Sequence, residues 1–294
     1  MELRFATPQE LRPDLGRLIG RLEGLQGTPP FGEVLLSAMA RSDGPGVGVA
    51  GEREGVLVAY GFTVPNPDRR TWTLEVGAAS EDYGRFLCLA LDLLAARGVG
   101  EVVLWVHSAC VEPPPSLVNP ERLLHRMAAD LPVALDQAAP DGVLLRGFDP
   151  EHDRGALIEL NNLAFAGHPE QGGWTSRDLE QRMALPWFDP SGIRTAWVAD
   201  RMVAFNWTKL HPEATSQGDK VGEIYAIAVS PAVQGRGLGR AVALEGLRYL
   251  AGHRGATRAM LYVDSSNEPA IQLYRTLGFV TEHTDRAYRW TAAS

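Results

Sequence analysis

Apolar residues Ala241, Leu244, Leu247 and Leu250 recur every three or four positions, a spacing that lays one stripe of an α-helix against a core. Before them, Gly222 to Val229 reads as a strand ending in Ser230-Pro231 and a glycine-rich turn. After them, Ala259-Met260-Leu261-Tyr262-Val263 reads as another strand. A further helix is expected near Asn267-Glu268-Pro269, because proline at an early helical position gives up no hydrogen bond. The same order occurs earlier in the chain, with Leu74-Glu75-Val76 matching Ile227-Ala228-Val229 at a shift of 153 residues. There Trp72 to Val76 reads as strand, Phe86 to Ala96 as helix and Glu101 to Val106 as strand. A helix after Asn119 is expected to carry Arg126 where the second copy has Tyr274. A strand pair stands upstream of each core, Gly46 to Gly51 with Val56 to Val64, and Thr195 to Asp200 with Met202 to Lys209. One α/β (α+β) architecture is thus used twice.

The stretch Ala134 to Asp141, with its Ala-Ala-Pro-Asp-Gly, reads as a linker and sets the expected boundary near Pro140, giving domains 1–140 and 141–294. A chain of 294 residues suits two ordinary domains, and 45% hydrophobic with 22% charged residues is a globular composition. No apolar run is long enough to span a bilayer, and the N-terminus lacks the basic-then-apolar pattern of a secretion signal, so a cytoplasmic protein is expected. The formal charge of -8 disfavours nucleic acid as a partner, since binding it requires a lysine and arginine surface. A monomer is expected. Cys88 and Cys110, in apolar stretches without metal-ligand spacing, read as buried thiols. Trp187, Trp197 and Trp207 read as packing residues.

Gln234-Gly235-Arg236-Gly237-Leu238-Gly239-Arg240 lies between a strand and an amphipathic helix. Glycines let the main chain approach an anion closely, and the helix N-terminus adds unsatisfied N–H donors, so the segment reads as a phosphate cradle. A Walker loop is excluded by the missing Gly-Lys-Ser/Thr, and the dinucleotide fingerprint by the spacing. The pattern Gln234-x-x-Gly237-x-Gly239, with Ser-Pro before it and Asn267 and Tyr274-x-x-Leu277-Gly278-Phe279 after it, resembles the GCN5-related N-acetyltransferase (GNAT) superfamily.

The resemblance implies two tandem GNAT-fold domains, each a mixed, mostly antiparallel sheet flanked by helices, and acetyl-CoA as co-substrate. It assigns cofactor binding to Ile227, Ala228 and Val229, to Gln234, Gly235, Arg236, Gly237, Leu238, Gly239 and Arg240, and to Asn267, Glu268, Pro269, Ala270, Ile271 and Gln272. In the first copy the aligned turn, Glu81-Asp82-Tyr83-Gly84-Arg85-Phe86, offers carboxylates where a phosphate would sit, so that domain is expected to have lost the site.

Acyl transfer to an amine needs the ammonium deprotonated, the thioester carbonyl polarised and the thiolate protonated. Glu223 lies four residues before Ile227, and the period of two places both on one face of a regular strand. On its own Glu223 also reads as a solvated carboxylate; the resemblance makes it the general base. Tyr274, seven residues after Asn267, shares a helix face with it and alone reads as a packing aromatic; the resemblance makes it the acid for the CoA sulfur. Backbone amides near Val229 would polarise the carbonyl, so no metal is expected.

His168-Pro169-Glu170-Gln171-Gly172-Gly173-Trp174-Thr175, Trp207-Thr208-Lys209-Leu210-His211 and Gly222-Glu223-Ile224-Tyr225 resemble the mycothiol synthase family. That resemblance implies acetylation of the cysteinyl amine of a cysteine-glucosamine-inositol conjugate, with Glu33, Glu170, Lys209, Glu223 and Tyr262 at the substrate. Taken singly, Lys209 and Glu33 read as solvated surface charges. A GNAT acetyltransferase for another amine, or a non-catalytic acyl-CoA sensor, are the alternatives.

Overall fold

The computed structural model describes residues 1–41, 44–66, 70–114, 117, 119–133, 139–166, 171–211 and 220–292. The chain begins with β1 (Glu2–Phe5), α1 (Arg12–Gln26), α2 (Glu33–Ala40), β2 (Val47–Arg53), β3 (Val56–Pro65), β4 (Trp72–Ala78), α3 (Ser80–Ala96) and β5 (Glu101–Val106). It continues through β6 (Arg122–Asp130), β7 (Leu144–Gly147), α4 (Arg154–Ala164), α5 (Ser176–Met183), β8 (Ile193–Val198) and β9 (Arg201–Leu210). Last come β10 (Val221–Val229), α6 (Leu238–Gly252), β11 (Arg258–Asp264), α7 (Glu268–Thr276) and β12 (Val280–Thr291). Of the expected linker, residues 134–138 lie outside those described. Among the described residues no helix is long and apolar enough to cross a membrane.

The chain forms two compact units, neither of them one continuous stretch. The first holds Met1–His125, Asp264–Ser266 and the chain from His283 onward; the second holds Arg126–Val263 and Asn267–Glu282. In the first, β1 to β4 are antiparallel neighbours, β4 and β5 are parallel, and β12 lies antiparallel on β5 through Arg286↔Val106 to Thr291↔Glu101. In the second, β7 to β10 are antiparallel neighbours and β10 and β11 are parallel. Both units therefore follow the mixed, mostly antiparallel plan that the repeat implies.

Helical spacing explains how each unit closes. Phe86, Leu87, Ala90 and Leu94 of α3 pack on Leu74, Val76, Val102 and Leu104, while Leu244, Leu247 and Leu250 of α6 pack on Ala259 and Leu261. The outer face of α3 carries Arg85, Cys88, Leu89 and Asp92, so Cys88 is exposed, as is Cys110 in the turn after β5; neither is the buried thiol that was expected.

Two further expectations for the first copy are corrected. Residues 81–86 are not a turn: β4 passes through Ala79 directly into α3, with Asp82 paired to Arg53 at 2.6 Å and Tyr83 buried. The helix expected after Asn119 is strand β6, with Arg126 on it. Met127 and Ala129, two residues apart, both pack in the core that contains Leu261 and Val263, the period of a strand and not of a helix.

The first unit encloses a chain of charged groups. His107 Nδ1 lies 3.1 Å from Asp285 Oδ1, and its Nε2 lies 3.1 Å from Glu75 Oε1; Glu75 Oε2 accepts the Gly32 N–H at 2.6 Å. Asp285 is also 3.1 Å from His283 Nε2. Burial works against a charged His107, but the Asp285 and Glu75 carboxylates outweigh it and push the imidazole up to about 10. Burial also opposes the charge on Asp285, and His107 and His283 override it, holding that carboxyl below its ordinary value.

Because folding raises the His107 value from 6.5 to about 10, its contribution to stability is complete below pH 6.5 and disappears as pH climbs through about 10. We expect the melting temperature of the wild type to fall over that interval and the His107→Gln profile to be flatter. Parallel thermal profiles for the two proteins would show that the imidazolium contributes nothing.

Candidate active site

Strand β10 is held differently along its two edges. Toward β9 it is paired along most of its length, from Gly222↔Leu210 to Val229↔Ala204. Toward β11 the parallel register runs only from Val221↔Arg258 to Ile224↔Leu261. That register does not extend to residues 226–229, which leaves an edge that an extended amide-bearing chain can pair with. In the first unit the corresponding parallel register persists to Glu75↔Trp105, with only residues 76–78 of β4 beyond it.

The register between β9 and β10 slips between Ile224 and Ala226, so Tyr225 is a bulge. Its effect is visible in the packing. Before the bulge, Gly222 abuts Leu250 and Ile224 packs with the α6 residues Leu244 and Leu247; after it, Ile227 packs on that same core and Ala226 and Ala228 turn to the core of α4. Glu223 and Ile227 thus lie on opposite faces, contrary to the one-face expectation, because the extra residue inverts the alternation between them.

Glu223 projects on the α4 side, where its register partner Lys209 also lies. Lys209 Nζ is 3.7 Å from Glu223 Oε2, and His211 Nε2 is 2.8 Å from the same oxygen. Lys209 is 3% exposed rather than solvated, and its ammonium stands 5.3 Å from the centre of the Trp187 ring. Trp187 in turn touches Tyr225 at 4.9 Å and Trp207, which is fully buried, while Trp197 lies beneath Arg146. On β11, Leu261 and Val263 are buried toward α6, which leaves Tyr262, 44% exposed, on the face of Glu223. Glu170 lies outside the described residues, and Glu33 is the first residue of α2 in the first unit. His211, quoted only as part of a motif, is the site neighbour that sequence reasoning missed; its place just after the strand that faces Glu223 was the available signal.

The turn from Gln234 to Gly237 is exposed and enters α6 at Gly237, whose φ of 79° is costly for any residue with a Cβ. Gly235 has φ 76°. No side chain caps α6, so the amides of Leu238, Gly239 and Arg240 open the helix without an internal acceptor. Leu238 is buried and offers only its backbone; Gly239 admits Leu273 and Val229 closely, a Cβ there meeting them at 3.3 and 3.5 Å. Arg236 is exposed, Arg240 donates to Thr276 Oγ1 at 2.6 Å, and Gln234 reaches Val229 O at 3.5 Å.

Asn267 caps α7, its side chain accepting from Ala270 N at 3.3 Å, with Pro269 in the first turn. Gln272 donates to Glu268 at 2.5 Å, and Ile271 is buried. Tyr274 is 4% exposed beside Phe279 at 6.0 Å, in the core that contains Ile224 and Leu261. Burial pushes its phenol well above the ordinary value of 10.0, so it is protonated at neutral pH.

A mixed sheet with an uncapped glycine turn opening α6 is the architecture of the GNAT acetyltransferases. Residues 157–279 match the acetyltransferase (GNAT) family. A GCN5-related N-acetyltransferase from Sphaerobacter thermophilus superposes with TM-score 0.73 at 21% identity, covering 99% of this chain and 95% of that one. The tandem GNAT protein from the clavulanic acid biosynthesis pathway gives 0.69 at 15% identity, over 100% and 99%. These likenesses speak to the fold.

Sequence relatives go further. The mycothiol acetyltransferase of Thermomonospora curvata is 39% identical over 80% of each chain, and that of Streptomyces avermitilis 37% identical over 94% of this chain and 96% of its own. The chain belongs to the mycothiol acetyltransferase family and is an acetyltransferase.

At Gly237, valine would be forced into a left-handed conformation costing about 1–2 kcal/mol. We expect Gly237→Val to weaken acetyl-CoA binding at least about tenfold in a calorimetric titration; an unchanged dissociation constant would exclude this turn from the contact.

Proposed function

We propose that the chain transfers an acetyl group from acetyl-CoA to the cysteinyl amine of a cysteine-glucosamine-inositol conjugate, forming mycothiol. The observation that carries this reading is Glu223, set on β10 one residue before the ladder to β11 ends, with the uncapped helix α6 at the strand's other end. The free amides of the Gly235–Arg240 turn are suited to hold a diphosphate, and the unladdered edge of β10 to pair with the amides of a pantetheine arm. An acetyl thioester so held would be polarised by amides of β10 and flanked by the two groups that move protons.

Glu223 then takes the proton of the substrate ammonium, directly or through water, and the neutral amine attacks the thioester carbonyl. Tyr274, kept protonated by burial, gives its proton to the departing sulfur. Base and acid stand on opposite faces of the sheet, so the amine and the leaving sulfur are served from different sides. Lys209 and Tyr262, on the face of Glu223, supply hydrogen-bond partners for a polyhydroxylated substrate, and the rings of Trp187 and Tyr225 give it an apolar wall.

The test is acetyl transfer to the cysteine conjugate, with product identified by mass. Glu223→Gln should lower kcat by roughly 10²–10⁴, less at high pH where more amine is already neutral, and Tyr274→Phe by a smaller factor. Because burial raises the phenol's value, the alkaline limb of the wild-type profile should persist in Tyr274→Phe. A wild-type rate for Glu223→Gln would remove it from the mechanism, and turnover only with unrelated amines would overturn the substrate.

A further inference from the structure

Beside Glu223 stands a group for which the reaction so far has no use. His211 follows the last residue of β9, where its backbone N–H donates to Val221 O at 2.9 Å and so fixes it opposite the start of β10. Its Nε2 lies 2.8 Å from Glu223 Oε2, closer than the Lys209 ammonium at 3.7 Å. Glu223 carries 10% side-chain exposure and His211 27%, so the imidazole bridges the enclosed carboxylate and solvent. Among the described residues, the charged and titratable groups on this face include Lys209 on β9, Tyr225 on β10, and Arg258 and Tyr262 on β11.

We infer that His211 is a positioning residue for Glu223: its Nε2–H holds Oε2, leaving the other carboxylate oxygen to receive the amine proton. This deepens the reading of Glu223 as base and rests on it. A carboxylate whose rotation is restrained by one fixed donor is oriented toward the amine before substrate arrives, so less order has to be gained in the transition state. Lys209 stands farther from the same oxygen, at 3.7 Å, with its ammonium over the Trp187 ring.

The atom-specific geometry gives a discriminating test. Glutamine can present an N–H near the Nε2 position, whereas alanine presents none. His211→Ala should lower kcat about tenfold or more and leave the KM for acetyl-CoA within twofold, since the loss is of the base's orientation and not of cofactor binding. His211→Gln should recover most of the rate. In the Glu223→Gln background, His211→Ala should add little further loss, because the two act as one unit.

If Glu223→Gln abolishes turnover while His211→Ala keeps the wild-type rate, the positioning role fails and the base survives. If Glu223→Gln is itself unimpaired, the reading of the base fails first. Equal losses for the alanine and glutamine variants, with additive effects in the double variant, would also overturn the inference by reducing His211 to packing.

Discussion

Hydrogen-bond accounting along β10 governs the second unit. A strand in a sheet interior has two rows of main-chain groups to satisfy, and β10 satisfies only the row facing β9 along most of its length. Its ladder to β11 stops at Ile224, and residues 226–229 are held from the opposite edge by their register with β9. Rigidity on one side makes exposure on the other sustainable. The bulge at Tyr225 adds the second condition, setting Glu223 and the residues beyond it against different cores.

Much of this was legible from residue spacing. The periodicity of Ala241 to Leu250 marked α6, the alternation around Leu261 marked β11, and the glycines marked the turn before α6. The face of Glu223 was not legible, because one additional residue in a strand leaves no trace in composition yet inverts everything after it. Nor was the burial of Lys209, which depends on a carboxylate paired across the sheet and an indole brought from a distant segment. A lysine read in isolation belongs to solvent.

The first unit shows what one architecture becomes without the glycine turn. The parallel register extends further, α3 starts directly after Ala79, and the first helical turn carries its own acidic residues. The position equivalent to Ala228 is Glu75, buried and committed to His107 and the Gly32 amide. An interior carboxylate there is tolerable only because an imidazolium and a backbone donor accompany it.

The order in which the chain supplies strands has a consequence for its biosynthesis. Val102, Leu104 and Val106 of β5 are buried in a core that also contains Tyr288, and the antiparallel neighbour of β5 is drawn from β12. During translation β5 would emerge long before that neighbour exists, its sheet waiting while the residues between Val106 and Val280 are made. A chain cut off before Val280 would thus be defective in its beginning as well as at the break.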